Sequence, residues 1–169
     1  MKNLIRLMGL LLVFALAACG GPGIAAEYKE YKEKGSTPIY QNSMELIMMS
    51  NQLNAILDNP EQANQYLKTE MIPMLEESKA LSEDWQGRLT HDELKELNGL
   101  KDKELGLLID SFGTLSELFD LTAEPGEDFE QKSAKLSVEI SDKQEQLDKI
   151  TDDYAAKYEE LDRKYGTES

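Results

Sequence analysis

Few residue types in this chain could do chemistry, and spacing decides what each could do. Met44, Met48 and Met49 fall in one short stretch, with Met71 and Met74 in another. Thioether sulfur is a soft ligand that selects Cu(I), and spacings of three or four residues put two sulfurs on one helical face. Methionine more commonly fills gaps in cores and adaptable surfaces. Core packing is therefore the expectation here, with Met44, Met48, Met71 and Met74 as the metal-ligand alternative. The single histidine, His91, falls just inside a helix start, a solvent-facing place rather than a catalytic one. The carboxylate pairs Glu76-Glu77, Asp152-Asp153 and Glu159-Glu160 are adjacent, so on a helix they point about 100° apart. They read as solvated faces, not as an acid–base dyad or a calcium loop. The chain has no Gly-rich phosphate loop and no Glu-x-x-His pair. This inventory argues against an enzyme, and no cofactor is expected.

Gly99, Gly106 and Gly113 recur every seven residues. At about 100° per residue they drift only about 20° per heptad, which lines them up along one side of a helix. Leu94, Leu97, Leu105, Leu108, Phe112, Leu115 and Phe119 occupy another arc, and Asp102, Asp110, Glu117 and Asp120 surround the glycines. The line thus runs along the polar face. It is either tolerated flexibility, at about 1 kcal/mol per glycine, or a groove for close approach of a partner helix.

These residues need helices to hold them. Ala26 to Lys34 reads as one helical stretch carrying Tyr28 and Tyr31, which Gly35-Ser36 interrupts. Thr37 offers an N-cap with Pro38 at the first helical position. Ile39, Leu46 and Leu53 then recur every seven residues until Asn59-Pro60 ends the helix. Asp58 or Asn59 caps a second helix, which Pro73 should kink or split near Glu70. Thr90 and Glu93 form a capping box for a third helix running to about Thr122. Glu124-Pro125-Gly126-Glu127 is a loop, and a fourth helix extends from about Glu127 to Tyr165. Its heptad seam of Ile140, Leu147, Tyr154 and Leu161 is coiled-coil-like, softened by Lys143 and Lys157. No segment alternates as a strand does. The fold class expected is all-α, an antiparallel four-helix bundle with a long C-terminal helix; the alternative is a three-helix bundle with a flexible N-terminal segment. In the four-helix arrangement Tyr28, Tyr31, Tyr40, Tyr154, Tyr158 and Tyr165 converge at one end, on a two-helix stem about 13 Å longer than the rest.

Ahead of these helices stands a different kind of segment. Lys2 and Arg6 form a short positive region, and Leu7 to Ala18 is apolar apart from Gly9. About 12 residues suit a secretory core and are too short to span a bilayer. The run closes on Leu16-Ala17-Ala18-Cys19, and Cys19 is the only cysteine in the chain. This pattern resembles the lipobox of bacterial lipoproteins. The resemblance implies that residues 1–18 are a signal peptide to be removed and that Cys19 carries the lipid, acyl chains such as palmitate. An ordinary signal peptide cut elsewhere is the alternative. A lone cysteine, with no disulfide partner within the chain, suits the lipid reading. Residues 19–26 would then be the lipidated cysteine and its flexible tether, with a reach of about 16 Å, and 27–169 the acidic helical domain.

Loss of Lys2 and Arg6 from the 18 basic residues leaves 16 against 33 acidic ones, a net charge near −17. Such a charge disfavours nucleic acid and anionic headgroups. The expectation is a membrane-tethered, non-enzymatic helical bundle of the bacterial cell envelope, anchored at the cell membrane or outer membrane, that binds another envelope or surface protein. The alternative is a small-ligand or copper carrier with a Met-lined interior.

Overall fold

The computed structural model describes residues 23–166. Cys19 and the segment before it lie outside the described residues. The elements are α1 (Ile24–Tyr31), α2 (Thr37–Asn54), α3 (Pro60–Tyr66), α4 (Ile72–Arg88), α5 (Asp92–Ala123) and α6 (Phe129–Tyr165). π-Helical turns at Lys32–Ser36 and Leu67–Met71 join α1 to α2 and α3 to α4. The described residues are therefore all-α and form four helical rods. None of the described helices is long and apolar enough to cross a membrane.

The two π-turns share a cause. Each ends two residues before a proline, Pro38 or Pro73. A proline ring clashes with the carbonyl four residues back and offers it no N–H. Widening the preceding turn avoids both problems. Thr37 N–H and Ile72 N–H bond five residues back, to the carbonyls of Lys32 and Leu67. The hydroxyl of Thr37 also donates to the Lys32 carbonyl, at 2.7 Å. Thr37 is thus not an N-cap, and Gly35-Ser36 does not interrupt the first rod. Gly35 is buried, and a Cβ on it would stand 2.9 Å from the Trp85 indole nitrogen and from Tyr31 Cδ2. The glycine lets the π-turn press against those rings.

Other helix ends divide the same way. Asn59 caps α3, its side chain accepting from Gln62 N–H at 3.1 Å. The capping box at Thr90 does not form. His91 occupies the cap position without a side-chain cap bond, because Thr90 gives both its N–H and its hydroxyl to the Glu27 carboxylate of α1. Glu93 faces α6 instead, accepting from Tyr165 Oη at 3.1 Å.

Cross-rod partners fix the register. Tyr28 and Ser36 reach Asp162 and Tyr154, while Tyr31 and Asn42 reach Trp85 and Ser78. Asn64 and Lys79 reach Asp120 and Asp102. Glu104 and Thr114 reach Thr151 and Lys143. In each of these four pairs, numbers rise on one rod as they fall on the other.

The core changes character along its length. At one end Tyr28, Tyr31, Trp85, Leu89, Leu94, Leu97 and Leu161 form a cluster drawn from all four rods, with Tyr154, Tyr158 and Tyr165 against it. Five of the six expected tyrosines therefore meet at this end, while Tyr40 stands outside the cluster and exposed, and the longer stem is absent among the described residues. Glu27 grips the turn between α4 and α5, so the rods close at a common level. In the middle and at the far end the core is Ile39, Leu75 and Leu105, then Leu53, Ala63, Leu67, Met71 and Phe119. Those residues come from the first three rods only.

Candidate functional site

The residues singled out from the sequence are scattered. Met71 is sealed in the core beside Leu53, Leu67 and Phe119, and Met74 is half-buried on α4. Met44 and Met48 instead face solvent, 48% and 65% exposed. The methionines therefore do not line one interior, and core packing fails for the α2 pair. Their register puts them on the face of α2 opposite Leu46, Met49 and Leu53, which take up the available core space. Gly99, Gly106 and Gly113 run along α5 as expected, but a Cβ on any of them would meet no atom within 4 Å. Among the described residues, no atom of another helix stands within 4 Å of those positions. Glu76, Glu77, Asp152, Asp153 and Glu159 are exposed.

His91 is not free in solvent. Its Nδ1 meets the Glu27 carboxylate, which is buried and also accepts from both donors of Thr90. Burial opposes ionisation of Glu27, but hydrogen bonds from Thr90 and His91 outweigh it and hold the carboxyl below its ordinary value. This cluster is a latch between α1 and the α4–α5 turn. It ties α1 to the start of α5 across 63 residues of sequence. Near it, burial and the neighbouring Tyr158 and Asp162 push the Tyr28 phenol up, and burial does the same to Tyr31. Both stay protonated and act as hydrogen-bond donors.

The open feature lies elsewhere, where the first rod and α6 part company. Lys32 pairs with Asp162 at 2.6 Å, and Ser36 lies 3.4 Å from the Tyr154 hydroxyl. Beyond Ser36, among the described residues, no hydrogen bond or ion pair joins α2 to α6. At the fork sits a cavity of about 560 Å³ whose walls include Ile39, Tyr40, Ser43, Thr151, Tyr154 and Tyr158. Lys101 and Glu104 of α5, paired with each other, form its floor. The Lys101 ammonium stands 4.0 Å from the centre of the Tyr154 ring, so its charge is already matched by a carboxylate and an aromatic face.

From that cavity an apolar stripe runs down α2. Tyr40, Met44, Ile47 and Met48, spaced by four, three and one, are 48–65% exposed. This is the i, i+4, i+7, i+8 pattern of a buried helical face, turned outward. The helix beneath it carries a single charge, Glu45. At the chain's 30% charged content, 18 residues would hold about five.

The chain matches no family model, no curated protein and no solved structure. What the fork and stripe can bind must be read from their own residues. They offer aromatic and aliphatic surface, hydroxyls at Ser36, Ser43 and Thr151, the paired Lys101 and Glu104, and the carboxylate of Glu159 at the edge.

The sequence carried a signal for this surface that its methionine and glycine patterns obscure. From Gly35 to Asn59 there is no lysine or arginine, and the only acids are Glu45 and Asp58. In an otherwise densely charged chain, this charge gap marks the face. The apolar residues of α2 exceed what one core-facing stripe requires.

Proposed function

We propose that this protein is a lipid-anchored, non-enzymatic component of the bacterial cell envelope that binds another protein through the outer face of α2. The carrying observation is the exposed, nearly uncharged stripe Tyr40–Met44–Ile47–Met48. Isolated exposed apolar residues are ordinary, whereas a contiguous set rimmed by polar residues marks an interaction surface. The anchor rests on Leu16-Ala17-Ala18-Cys19. With Cys19 only five residues before Ile24, the tether holds the domain near the bilayer, and several acyl chains would make that attachment stable. The net charge keeps the tethered domain soluble and excludes nucleic acid as a partner.

Two arms test the reading separately in bacteria expressing the full chain. Metabolic labelling with palmitate should mark the wild type and not Cys19→Ala, which should leave the membrane fraction. Affinity capture after chemical cross-linking should recover a specific protein with the wild type and lose it with Ile47→Glu/Met48→Glu, two exposed positions whose change leaves the core intact. An unlabelled wild type would sink the anchor. A captured partner indifferent to the double variant would sink the α2 surface.

A further inference from the structure

We propose that the cleft between α2 and α6 receives one amphipathic helix from a partner protein, apolar toward α2 and basic along the edge facing α6. This rests on the protein-binding reading above and specifies the chemistry of the partner.

Each side of the cleft has a distinct composition. Tyr40, Ser43 and Ile47 lie within about 60° of one another around α2, on the side that lines the cavity with α6. Glu45 lies about 160° from Ile47, so this wall is uncharged. The floor is α5, where Lys101 and Glu104 of the cavity are followed at helical spacing by Leu108, Phe112 and Leu115, all only partly buried. The far wall is α6. Thr151, Ala155 and Glu159 line the cavity, and the same strip continues through Gln144 and Asp148. Its outer rim is acidic, since Asp148, Asp152 and Glu159 are all exposed. Lys143 turns inward to Thr114 and the Asp110 carbonyl, Lys157 pairs with Glu96, and Arg163 lies one turn beyond Glu159, past the cavity.

An occupant must therefore bury apolar surface against α2 and α5 while offering positive charge to α6. A helix with apolar residues at i, i+3, i+4 and i+7 and basic flanks does both, which is helix-in-groove recognition. One large side chain of that helix would enter the 560 Å³ cavity beside Tyr40. A second copy of this chain fits less well, because its own apolar helix, α2, carries no lysine or arginine to offer the acidic rim of α6.

The domain from Gly20 onward contains the whole described core, so it can be tested in solution. The probes are two 18-residue peptides of identical leucine and lysine composition, one with leucines on a single helical face and one shuffled. Isothermal titration at physiological salt should show the amphipathic peptide binding at least tenfold more tightly. Ile47→Glu should erase that difference without lowering the melting temperature, whereas Val138→Glu, on the outer side of α6, should leave it unchanged. Equal binding of both peptides would overturn the proposal, because charge alone would then explain it. So would a concentration-dependent dimer abolished by Ile47→Glu, which would make a second copy the occupant. If peptide selectivity fails while the full chain still loses its captured partner in the Ile47→Glu/Met48→Glu variant, the α2 surface stands and only the helical occupant falls.

Discussion

Two glycines show how far the role of a residue depends on what stands beside it. Gly106 sits mid-helix on α5 with open space where a Cβ would go. Gly106→Ala should stabilise the domain by about 1 kcal/mol, the helix-propensity difference. Gly35 sits in a π-turn against Trp85 and Tyr31, with 2.9 Å available. Gly35→Ala should destabilise by about 1–3 kcal/mol, as overpacking does. Paired thermal melts check the opposite signs. Glu27 allows a pH test. Its carboxyl is held below the ordinary 4.5, so its contribution is present above that pH and fades as pH falls through and below it. Glu27→Gln should cost at least about 2 kcal/mol at pH 7, from weakened charge-assisted bonds to Thr90 and His91. The gap from wild type should narrow as melts are taken toward pH 3. A constant gap would mean that the carboxylate charge plays no part in the latch. The effect at Gly106 was legible from its place on the polar face, whereas the contacts of Gly35 and Glu27 were not. Thr90 and Glu93 have the spacing of a capping box, and only the arrival of Glu27 from 63 residues away redirects Thr90. Asn98 is likewise silent as a letter, yet it is fully buried and accepts from Tyr31 and Ser82 while donating to Ser82 and Gln86.

At the scale of elements, helix existence was readable and helix continuity was not. The periodicity of α5 and α6 placed both to within about two residues, since long amphipathic runs outvote local detail. Asn59-Pro60 marked the start of α3 because cap and proline act on the same turn. Pro73 breaks the regular α pattern around Glu70, as expected, whereas Pro38 lies within a continuing rod and starts no new one. Pro38 and Pro73 prevent a regular α pattern, but a single wide turn relieves the clash at each and the rods carry on. Which relief a proline finds depends on packing around the turn. At the first it depends on Gly35 fitting beneath Trp85.

At the scale of the whole molecule, the rods close tightly at one end and separate at the other. Tyrosines from α1 and α6 pack there with Trp85, giving the four-rod cluster its bulk. Toward the far end the core needs only three rods, and α6 rides on α5 through ties such as Lys143 to Thr114 at 2.6 Å. That division leaves α2 with one face on the core and another, equally apolar, on solvent. The tyrosine convergence followed from counting along the helices. The cleft did not, because heptad patterns report which residues are apolar and not whether a neighbour reaches them. The central claim is that this second face of α2 is the binding surface. A photo-cross-linking residue placed at Ile47 of the full chain in living bacteria tests it most directly, with Val138 as the exposed apolar control on α6. One discrete protein adduct is expected from position 47 and none from position 138. No adduct at 47, or the same adducts from both positions, would contradict it.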